Sequence, residues 1–453
     1  MTKIKLSKVE AEGVLGEYKH KVEFSNSKPF VIIYGPNGIG KTKFLEIIYA
    51  ASNINVRMLK DLPFRKVKLV YDDGTELSIA KTYSSSDDHL DGMKFILFDG
   101  STKKKTHDII KYHNNIGRWD EIDPFFEILA RDLWEYMSSD EKMPAWEEME
   151  KVVPEIIRYE SDIKREFREF KSRTSAVLIG TQRLQSDPMR TAWDDLVESA
   201  DRSTDRKSTR KQLRYEKPFK IADLSIRMKE LIDEAEKEHS RITRKLDKTF
   251  PNRFLDQTTC KKRRVNEFDI IKRYNDLGET RKKISGVFSG LEDSDLPLSR
   301  RRKYEYFELQ LLDLYLKDME KKYSPFVSLL GRINIFENII SSRLLGKTIR
   351  VMDGKIVVTN SKTGRQIDLE SLSSGEKHEI VMMYGLLFGV REGSIVLIDE
   401  PEISLHVAWQ LRFIPDVRKI ADATNFQFIV ATHSPQIIND ERDSAVRLSS
   451  EDM

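Results

Sequence analysis

The chain has 453 residues, of which 39% are hydrophobic and 33% charged, and 77 Lys and Arg against 74 Asp and Glu give a net charge of +3. The length predicts about three domain-sized blocks, and so small a net charge does not favour nucleic-acid binding by the whole surface. The single cysteine, Cys260, excludes an internal disulfide and a cysteine-rich zinc site, which predicts a cytoplasmic protein. No apolar run suits a membrane helix or a signal peptide.

The first hundred residues have the alternating or continuous apolar runs that are typical of strands, with one helical segment. The predicted elements are, in chain order, strands at 3–9, 20–24 and 30–34, a helix at 42–51, a hairpin at 64–83 and a strand at 94–98. The run 30–34 has no polar residue before Tyr34, which predicts a strand that is buried on both faces.

Helical spacing dominates the middle of the chain, apart from a short predicted strand at 177–180. The polar stretch 191–345 is too long for a plain loop and predicts a helical insert. One part of it has the three-and-four spacing of a coiled-coil seam, formed by Ile221, Leu224, Met228, Leu231, Ala235, Ile242 and Leu246. A second apolar stripe comprises Tyr304, Phe307, Leu311, Leu314 and Tyr315.

Strands and helices alternate again towards the C-terminus. The predicted elements are a hairpin at 349–359, a helix at 376–390, a strand at 395–398, a helix at 407–421 and a strand at 426–431. The sequence therefore predicts a core that is divided by helical segments. The predicted divisions are a core lobe at 1–118, a helical segment at 119–172, a core segment at 173–190, the insert at 191–345 and a second core lobe at 346–453.

The strongest local motif is the segment 35–42, GPNGIGKT, which matches the phosphate-binding loop G-x-x-x-x-G-K-[ST]. It lies between a predicted buried strand and a predicted helix, which is the context that this loop requires. Its glycines permit a tight turn whose N–H groups face phosphate oxygens. Lys41 is predicted to reach the β and γ phosphates and Thr42 to hold Mg²⁺, so the motif predicts a site for Mg-ATP.

A second motif is the apolar run 395–398 followed by Asp399 and Glu400. Such a run predicts a buried strand that brings two carboxylates to the edge of a sheet. Asp399 is predicted to bind Mg²⁺ directly or through water, and Glu400 to polarise the attacking water. Paired acids after strands are common at protein surfaces, so this interpretation depends on the phosphate-binding loop.

The segment 372–376, LSSGE, directly precedes a predicted helix. Alone it is an ordinary serine N-cap with the glutamate of a capping box. In its order along the chain it resembles the signature motif of ABC ATPases, usually L-S-G-G-Q, with Ser374 replacing a glycine and Glu376 replacing glutamine. That resemblance extends to the SMC, Rad50 and RecF group, and it implies that Ser373 and the helix N-terminus contact the γ-phosphate held by a second subunit.

Three further segments resemble parts of the same family. His433, in T-H-S-P after a predicted strand, is similar to the switch histidine that contacts the γ-phosphate. Residues 404–406 resemble the D-loop at the dimer interface, and Gln182 resembles the Q-loop glutamine that senses Mg²⁺ and the water. A lone histidine or an exposed glutamine is commonly structural, so these assignments depend on the resemblance.

The resemblance covers residues 1–100, 175–190 and 346–453, and it implies an α/β fold. The implied architecture is an ABC-type P-loop nucleotide-binding domain with a mixed or parallel sheet, interrupted by a helical, partly coiled-coil insert. The implied catalytic residues are Glu400 and His433, and the implied metal contacts are Thr42, Gln182 and Asp399. The residues implied in nucleotide binding are Gly35, Pro36, Asn37, Gly38, Ile39, Gly40, Lys41, Thr42, Gln182, Ser373, Gly375 and Asp399.

The segments 399–406 and 431–438 are more narrowly similar to the AAA_15 group of stand-alone ATPases in bacterial anti-phage systems. The types in question are the AriA type of PARIS and the PtuA type of Septu, with relatives in retrons and among the overcoming-lysogenization-defect nucleases. The chain ends soon after His433, so we expect no Toprim nuclease domain of its own. The resemblance implies a sensor, scaffold or motor that forms a homodimer or larger homo-oligomer. It also implies a separate Toprim-like or HNH nuclease partner and a phage-encoded trigger, without a membrane.

Three basic runs in the predicted insert, at 206–214, 261–264 and 300–303, leave DNA as an alternative ligand. A basic run is usually a solvated face. The functional interpretation is a surface for DNA or for an acidic protein that imitates it, with an affinity that falls steeply as salt rises. The alternative functions are a RecF-like or Rad50-like ATPase of DNA repair or recombination, recognisable by DNA-stimulated turnover, and a nucleotide-binding scaffold that hardly hydrolyses.

Overall fold

The computed structural model describes residues 3–25, 28–83, 90–100, 102–103, 105–111, 165–180, 221–259, 266–288 and 304–448. The chain divides into two compact units. The first comprises Met1–Pro218 with Gly389–Met453, and the second comprises Phe219–Phe388. Gln182, the three basic runs and most of the predicted helical segment 119–172 lie outside the described residues. The five predicted segment boundaries stay a prediction.

The core segments contain the strands and helices that the apolar patterns predict. The strands are β1 (Leu6–Val14), β2 (Tyr18–Glu23), β3 (Phe30–Tyr34), β4 (Lys66–Tyr71), β5 (Glu76–Tyr83), β6 (Leu90–Phe98), β7 (Lys105–Lys111), β8 (Ala176–Ile179), β9 (Lys347–Met352), β10 (Lys355–Asn360), β11 (Gln366–Ile367), β12 (Ile395–Asp399), β13 (Gln427–Thr432) and β14 (Ala445–Arg447). The helices are α1 (Lys41–Ser52), α2 (Val56–Asp61), α3 (Arg165–Arg173), α4 (Leu224–Thr259), α5 (Glu267–Val287), α6 (Tyr306–Arg343), α7 (Ser374–Tyr384), α8 (Val407–Thr424) and α9 (Pro435–Ile438).

The first unit contains two sheets. Five parallel strands lie in the order β14-β3-β13-β12-β8, and six antiparallel strands lie in the order β2-β1-β4-β5-β6-β7. Strand β8 pairs directly with β12, although the second unit lies between them in the sequence. The predicted α/β class, in which a helical insert interrupts the sheet, is therefore confirmed.

Helix α1 packs against strands of both sheets. Six of its apolar side chains are fully buried, which explains why the helix is apolar on more than one face: Phe44, Leu45, Ile47, Ile48, Ala50 and Ala51. They join one hydrophobic cluster with the inward faces of both sheets. The phosphate-binding loop thus leads directly into a helix that is buried in the hydrophobic core, and this helix fixes the C-terminal end of the loop.

In the second unit α6 packs against both α4 and α5, and β9, β10 and β11 form a small antiparallel sheet. The helical character of the insert is confirmed, while the coiled coil stays a prediction. Two details differ from the predicted stripes. In α4, Ile232 is buried where the stripe predicted Leu231. In α6, Leu309 and Leu316 are buried, whereas Phe307 and Leu311 are exposed. The buried faces of α4 and α6 are therefore slightly rotated from those predicted. In the described part of the chain, no helix is both long and apolar enough to cross a membrane.

Candidate nucleotide site

The candidate site lies where the strands of the parallel sheet end. Because β3, β13 and β12 are parallel neighbours in register, Ile33, Ala431 and Asp399 are level with one another. The segments that follow these strands therefore emerge at the same edge of the sheet. Ligands of open α/β sheets bind at this carboxyl edge. Here it brings together the phosphate-binding loop, the paired acids and His433.

Two glycines of the phosphate-binding loop have a left-handed backbone conformation just before α1 begins. Gly38 and Gly40 have φ angles of 84° and 87°, a region that other residues adopt only with strain. A Cβ atom on Gly40 would also lie 2.9 Å from Val14 Cγ1, so the loop is packed against β1 at this point. The first N–H groups of α1 have no acceptor within the helix, as in every α-helix, and they are available to an anion.

Lys41 is buried at the start of α1, only 6% exposed. Its Nζ donates to the carbonyl oxygens of Gly35 and Pro36, each at 3.0 Å. Burial lowers the pKa of the Lys41 ammonium, and the negative charges of Glu400 and other nearby acids oppose that shift. The ammonium is thus desolvated in advance and held inside the loop, where a phosphate would be a stronger partner than two neutral carbonyls.

Asp399 ends β12 beside the start of α1. Burial raises the pKa of Asp399, a hydrogen bond from the Thr42 hydroxyl opposes the rise, and the charges of Glu400 and Glu46 add to it. Among the described residues, none gives a hydrogen bond to the buried Oδ1 of Asp399. A buried carboxylate oxygen without a partner and an adjacent hydroxyl are hard oxygen donors, so Thr42 and Asp399 fit Mg²⁺.

Glu400 and His433 face each other across the ends of β12 and β13. Glu400 has a left-handed backbone, with φ 45°, and its N–H donates to the Ala431 carbonyl at 2.9 Å. Its Oε1 lies 3.5 Å from His433 Nε2, and the two side chains are 30% and 33% exposed. A left-handed conformation is costly for a residue other than glycine, and such strain concentrates at functional sites. Glu400 combines a fixed backbone with a carboxylate that water can reach.

Comparison with known proteins identifies the family of the chain. Residues 5–438 match the family model described as the AAA ATPase domain, AAA_15. The chain belongs to this ATPase family. The matched range contains the phosphate-binding loop, Asp399, Glu400 and His433.

Two curated relatives of this AAA_15 chain are named as retron ATPases. It is 28% identical over 135 residues to the retron Ec83 probable ATPase of Escherichia coli, covering 27% of this chain and 24% of that protein. It is 24% identical over 216 residues to the retron Vc95 probable ATPase of Vibrio cholerae serotype O1 biovar El Tor, covering 41% of this chain and 40% of that protein. The chain thus spans less than half the length of either relative.

Two solved structures are similar along most of the chain. The SMC head domain from Thermotoga maritima has a TM-score of 0.34 at 11% identity, covering 97% of this chain and 92% of that one. An SmcHead bound to the C-winged helix domain of ScpA has a TM-score of 0.33 at 11% identity, with coverages of 96% and 91%.

In the second unit of this AAA_15 chain, the segment 372–376 forms the start of α7. Ser373 and Glu376 make a capping box, in which the Ser373 N–H donates to Glu376 Oε2 at 3.0 Å and the Glu376 N–H to Ser373 Oγ at 3.4 Å. Lys347 Nζ donates to both carboxylate oxygens of Glu376, at 2.7 and 2.9 Å. Ser373 and Gly375 are therefore placed at a well-formed helix N-terminus, and their contact with nucleotide stays a prediction.

Sequence reasoning missed three residues that support the site of the AAA_15 domain. His20 on β2 is 1% exposed, and its Nε2 lies 2.8 Å from the carbonyl oxygen of Ile39 in the phosphate-binding loop. Burial lowers the pKa of His20, which favours the neutral ring that donates to that carbonyl. Glu402 and Gln410 hold the loop that carries His433. For Gln410 a signal existed, because it continues the apolar stripe of α8 through Phe413 and Val417.

Proposed function

We propose that the chain binds Mg-ATP at the carboxyl edge of the parallel sheet and hydrolyses it to ADP and phosphate. The observation that carries the proposal is the convergence of a phosphate-binding loop, a buried ammonium and two carboxylates with different surroundings at that edge. The family assignment and the names of the two curated relatives support the same activity.

Each residue has a role in this proposal that follows from its position. Lys41 and the first N–H groups of α1 bind the β and γ phosphates, and Thr42 and Asp399 hold Mg²⁺, which neutralises phosphate charge. The exposed carboxylate of Glu400 takes a proton from water as its oxygen attacks the γ-phosphorus and the bond to ADP breaks. His433 contacts the γ-phosphate. Gln182 is assigned to the Mg²⁺ and water by the resemblance alone.

We infer that a second copy of the chain completes the site with Ser373 and Gly375 at the N-terminus of its α7. One observation supports closure on a second copy: the segment that follows Glu402 exposes three apolar side chains at spacings of four, Ile403 at 64%, Val407 at 55% and Leu411 at 45%. This apolar strip continues directly from the nucleotide edge. Its burial would offset part of the cost of association.

We infer further that the ATPase is the switch of an anti-phage complex, in which opening and closing changes the hold on a separate nuclease of the Toprim-like or HNH type. The names of the two retron relatives support a defence role. The PARIS type of system is the form that the sequence resemblance favours. Co-expression with genes adjacent to its own should yield a copurified nuclease, and repeated failure to recover one would count against this part.

The hydrolytic assignment is tested by Glu400→Gln with Glu392→Gln as its control. Glu400→Gln should retain ATP binding but slow turnover by about 10²–10⁴-fold, because the proton acceptor is lost. Glu392 lies beyond the opposite end of β12, where its Oε1 accepts from Asn425. Glutamine there keeps that hydrogen bond, so Glu392→Gln should hydrolyse ATP normally. A Glu400→Gln protein with wild-type turnover would show that another group activates the water.

The binding assignment is tested by Lys41→Ala against Lys43→Ala, two residues further along α1, where Lys43 pairs with Glu46 at 2.9 Å. Lys41→Ala should abolish ATP binding in a calorimetric titration, while Lys43→Ala should bind normally.

The assembly is tested with Glu400→Gln plus ATP, which should double the mass measured by light scattering. Adding Val407→Asp should prevent the doubling, because it places a charge within the apolar strip. A wild-type rate per chain that does not change with protein concentration contradicts the shared site.

A further inference from the structure

A hydrogen-bond network joins the loop after β12 to the loop after β13. Glu402 lies two residues beyond Glu400, in the 3-10 turn Pro401–Ser404. Its Oε1 accepts from the backbone N–H of His433 at 2.6 Å and from the hydroxyl of Thr432 at 2.9 Å. One side chain therefore fixes the backbone from which the His433 imidazole extends.

The far side of the same loop is fastened to α8. Ser434 Oγ donates to Gln410 Oε1 at 2.6 Å, and Gln410 Nε2 donates to the Leu405 carbonyl oxygen at 3.2 Å. The Ser434 N–H donates to Thr432 Oγ1 at 2.9 Å. The backbone is thus held on both sides of His433, while its imidazole stays one third exposed and faces Glu400.

The carboxylate of Glu402 is placed to hold rather than to react. Oε1 already accepts two hydrogen bonds, and Oε2 is buried, with no hydrogen-bond partner among the described residues. Because Oε2 is shielded from water, Glu402 is less well placed to take a proton from an attacking water than Glu400, whose carboxylate is partly exposed. The hydrogen bonds give Glu402 a different effect on hydrolysis, which is to set where His433 stands relative to Glu400.

We propose that Glu402 is a positioning residue for ATP hydrolysis that acts through His433, and that it does so by hydrogen-bond geometry rather than by its charge. The proposal rests on the hydrolytic function proposed above. It assigns a role to the second glutamate of the segment 399–402, and it makes Gln410 and Ser434 the link by which α8 and the γ-phosphate contact move together.

Two substitutions separate geometry from charge. Glu402→Gln removes the charge but keeps an oxygen at the position that accepts both hydrogen bonds. Glu402→Asp keeps the charge but withdraws the oxygens by one methylene. We expect Glu402→Asp to lower kcat by about 10–100-fold with little change in KM, as is typical when a residue that orients a reactive group is altered. Glu402→Gln should retain most of the wild-type rate. The reverse order of the two rates would overturn the proposal, because it would show that charge is what matters.

A double-mutant cycle tests whether Glu402 acts through His433. His433→Ala and Glu402→Asp/His433→Ala should have the same kcat, since the aspartate has nothing left to misplace. If Glu402→Asp lowers kcat by the same factor in both backgrounds, the two residues act independently and the proposal is wrong.

Hydrogen exchange gives a readout that needs no turnover. The amide of His433 should lose protection in Glu402→Asp and keep it in Glu402→Gln, with thermal unfolding of both variants as the control for folding. Unchanged protection in Glu402→Asp overturns the proposal even if the variant is slow. A wild-type chain that binds ATP without hydrolysing it would refute the proposed function separately, and the exchange experiment would still decide whether Glu402 holds His433.

Discussion

Two acidic positions stand in opposite surroundings: Asp399 at the end of β12 in the first unit, and Glu376 in the first turn of α7 in the second. Burial raises the pKa of Asp399 above its ordinary value, and neighbouring carboxylates add to the rise. Burial would also raise the pKa of Glu376, but hydrogen bonds from Lys347 and Ser373 outweigh it, so that this pKa lies below its ordinary value. The ligand-free chain disfavours the charge of Asp399 and favours that of Glu376.

The difference shows which charged side chains the protein stabilises with its own residues. Around Glu376 the chain supplies a capping box and an ammonium, so the charge of this carboxylate is stabilised by the protein itself. At the nucleotide edge, Asp399 keeps a buried oxygen without a partner in the described residues, and the pKa of Lys41 is lowered by burial. Such groups lower the stability of the ligand-free protein and are stabilised when an oppositely charged ligand binds.

The substitution with the largest predicted effect tests whether the second unit stabilises its buried charges with its own residues. Arg343 at the end of α6 and Glu379 in α7 form an ion pair with side chains 2% and 0% exposed. Arg343→Met leaves a buried carboxylate without its partner and should lower the free energy of unfolding by about 3–5 kcal/mol, measured with urea. Arg343→Met/Glu379→Leu should recover most of that loss, because no charge then stays buried.

Arg350→Met is the matched control for that experiment. Arg350 also pairs with a buried glutamate, Glu337, at 2.7 Å, but its own side chain is 63% exposed. Because the guanidinium is exposed and Glu337 keeps the hydrogen bond from the Val351 N–H at 2.7 Å, removal of Arg350 should cost under about 1 kcal/mol. An Arg343→Met protein no less stable than Arg350→Met would show that Glu379 is satisfied by other means, and the contrast between the two units would weaken.

The sequence predicted the parts of the fold and of the site that depend on local pattern. Continuous apolar runs predicted β3, β12 and β13, and the spacing of glycines and Lys41 predicted the loop before α1. Parallel pairing of those strands then explains why loop, acids and His433 share one edge. What it could not predict depends on partners distant in the sequence. His20 contacts Ile39 from another sheet, and Glu402 contacts His433 across a strand and a helix. Neither has a local pattern that identifies its partner.

A smaller predicted effect, of opposite sign, belongs to the nucleotide edge. Asp399→Asn removes a disfavoured charge and should raise the stability of the nucleotide-free protein by about 1 kcal/mol at pH 7.5. Because the pKa of Asp399 is higher in the folded chain, the folded protein binds more protons than the unfolded chain between the unfolded value near 3.8 and the raised folded value. The gain should shrink as pH falls through that window. Mg-ATP should raise the melting temperature of Asp399→Asn less than that of the wild type, because one of the two proposed metal contacts is lost.

Greater stability of wild type than of Asp399→Asn at pH 7.5 without nucleotide would contradict this account. It would mean that the protein itself already stabilises the carboxylate, as it does for Glu376. The melting-temperature measurement distinguishes the cause, since a stabilised variant that responds to Mg-ATP as strongly as the wild type would place the metal contact elsewhere.

The smallest effect is expected for Glu376→Gln, which introduces the glutamine that the ABC signature motif usually has at the corresponding position. Glutamine preserves the capping box but loses the ion pair with Lys347, so stability at pH 7.5 should fall by roughly 0.5–1 kcal/mol. The pKa of Glu376 is lowered by folding, so its contribution is complete above the unfolded value of 4.5 and is lost as pH falls through the folded value. Urea unfolding of the nucleotide-free protein between about pH 3 and 7.5 measures this difference.

The pH profiles of the two variants must therefore diverge from wild type in opposite directions. As pH rises from about 3, Glu376→Gln should become less stable than wild type up to the unfolded value of 4.5, and Asp399→Asn should become more stable than wild type above 3.8, because folding favours one charge and disfavours the other. Two variants that shift stability in the same direction at pH 7.5 would contradict the contrast, whatever their sizes. If only Glu376→Gln deviated, Lys347 would still support a complete helix start, while the free energy held at the nucleotide edge would have to lie with Lys41 instead of Asp399.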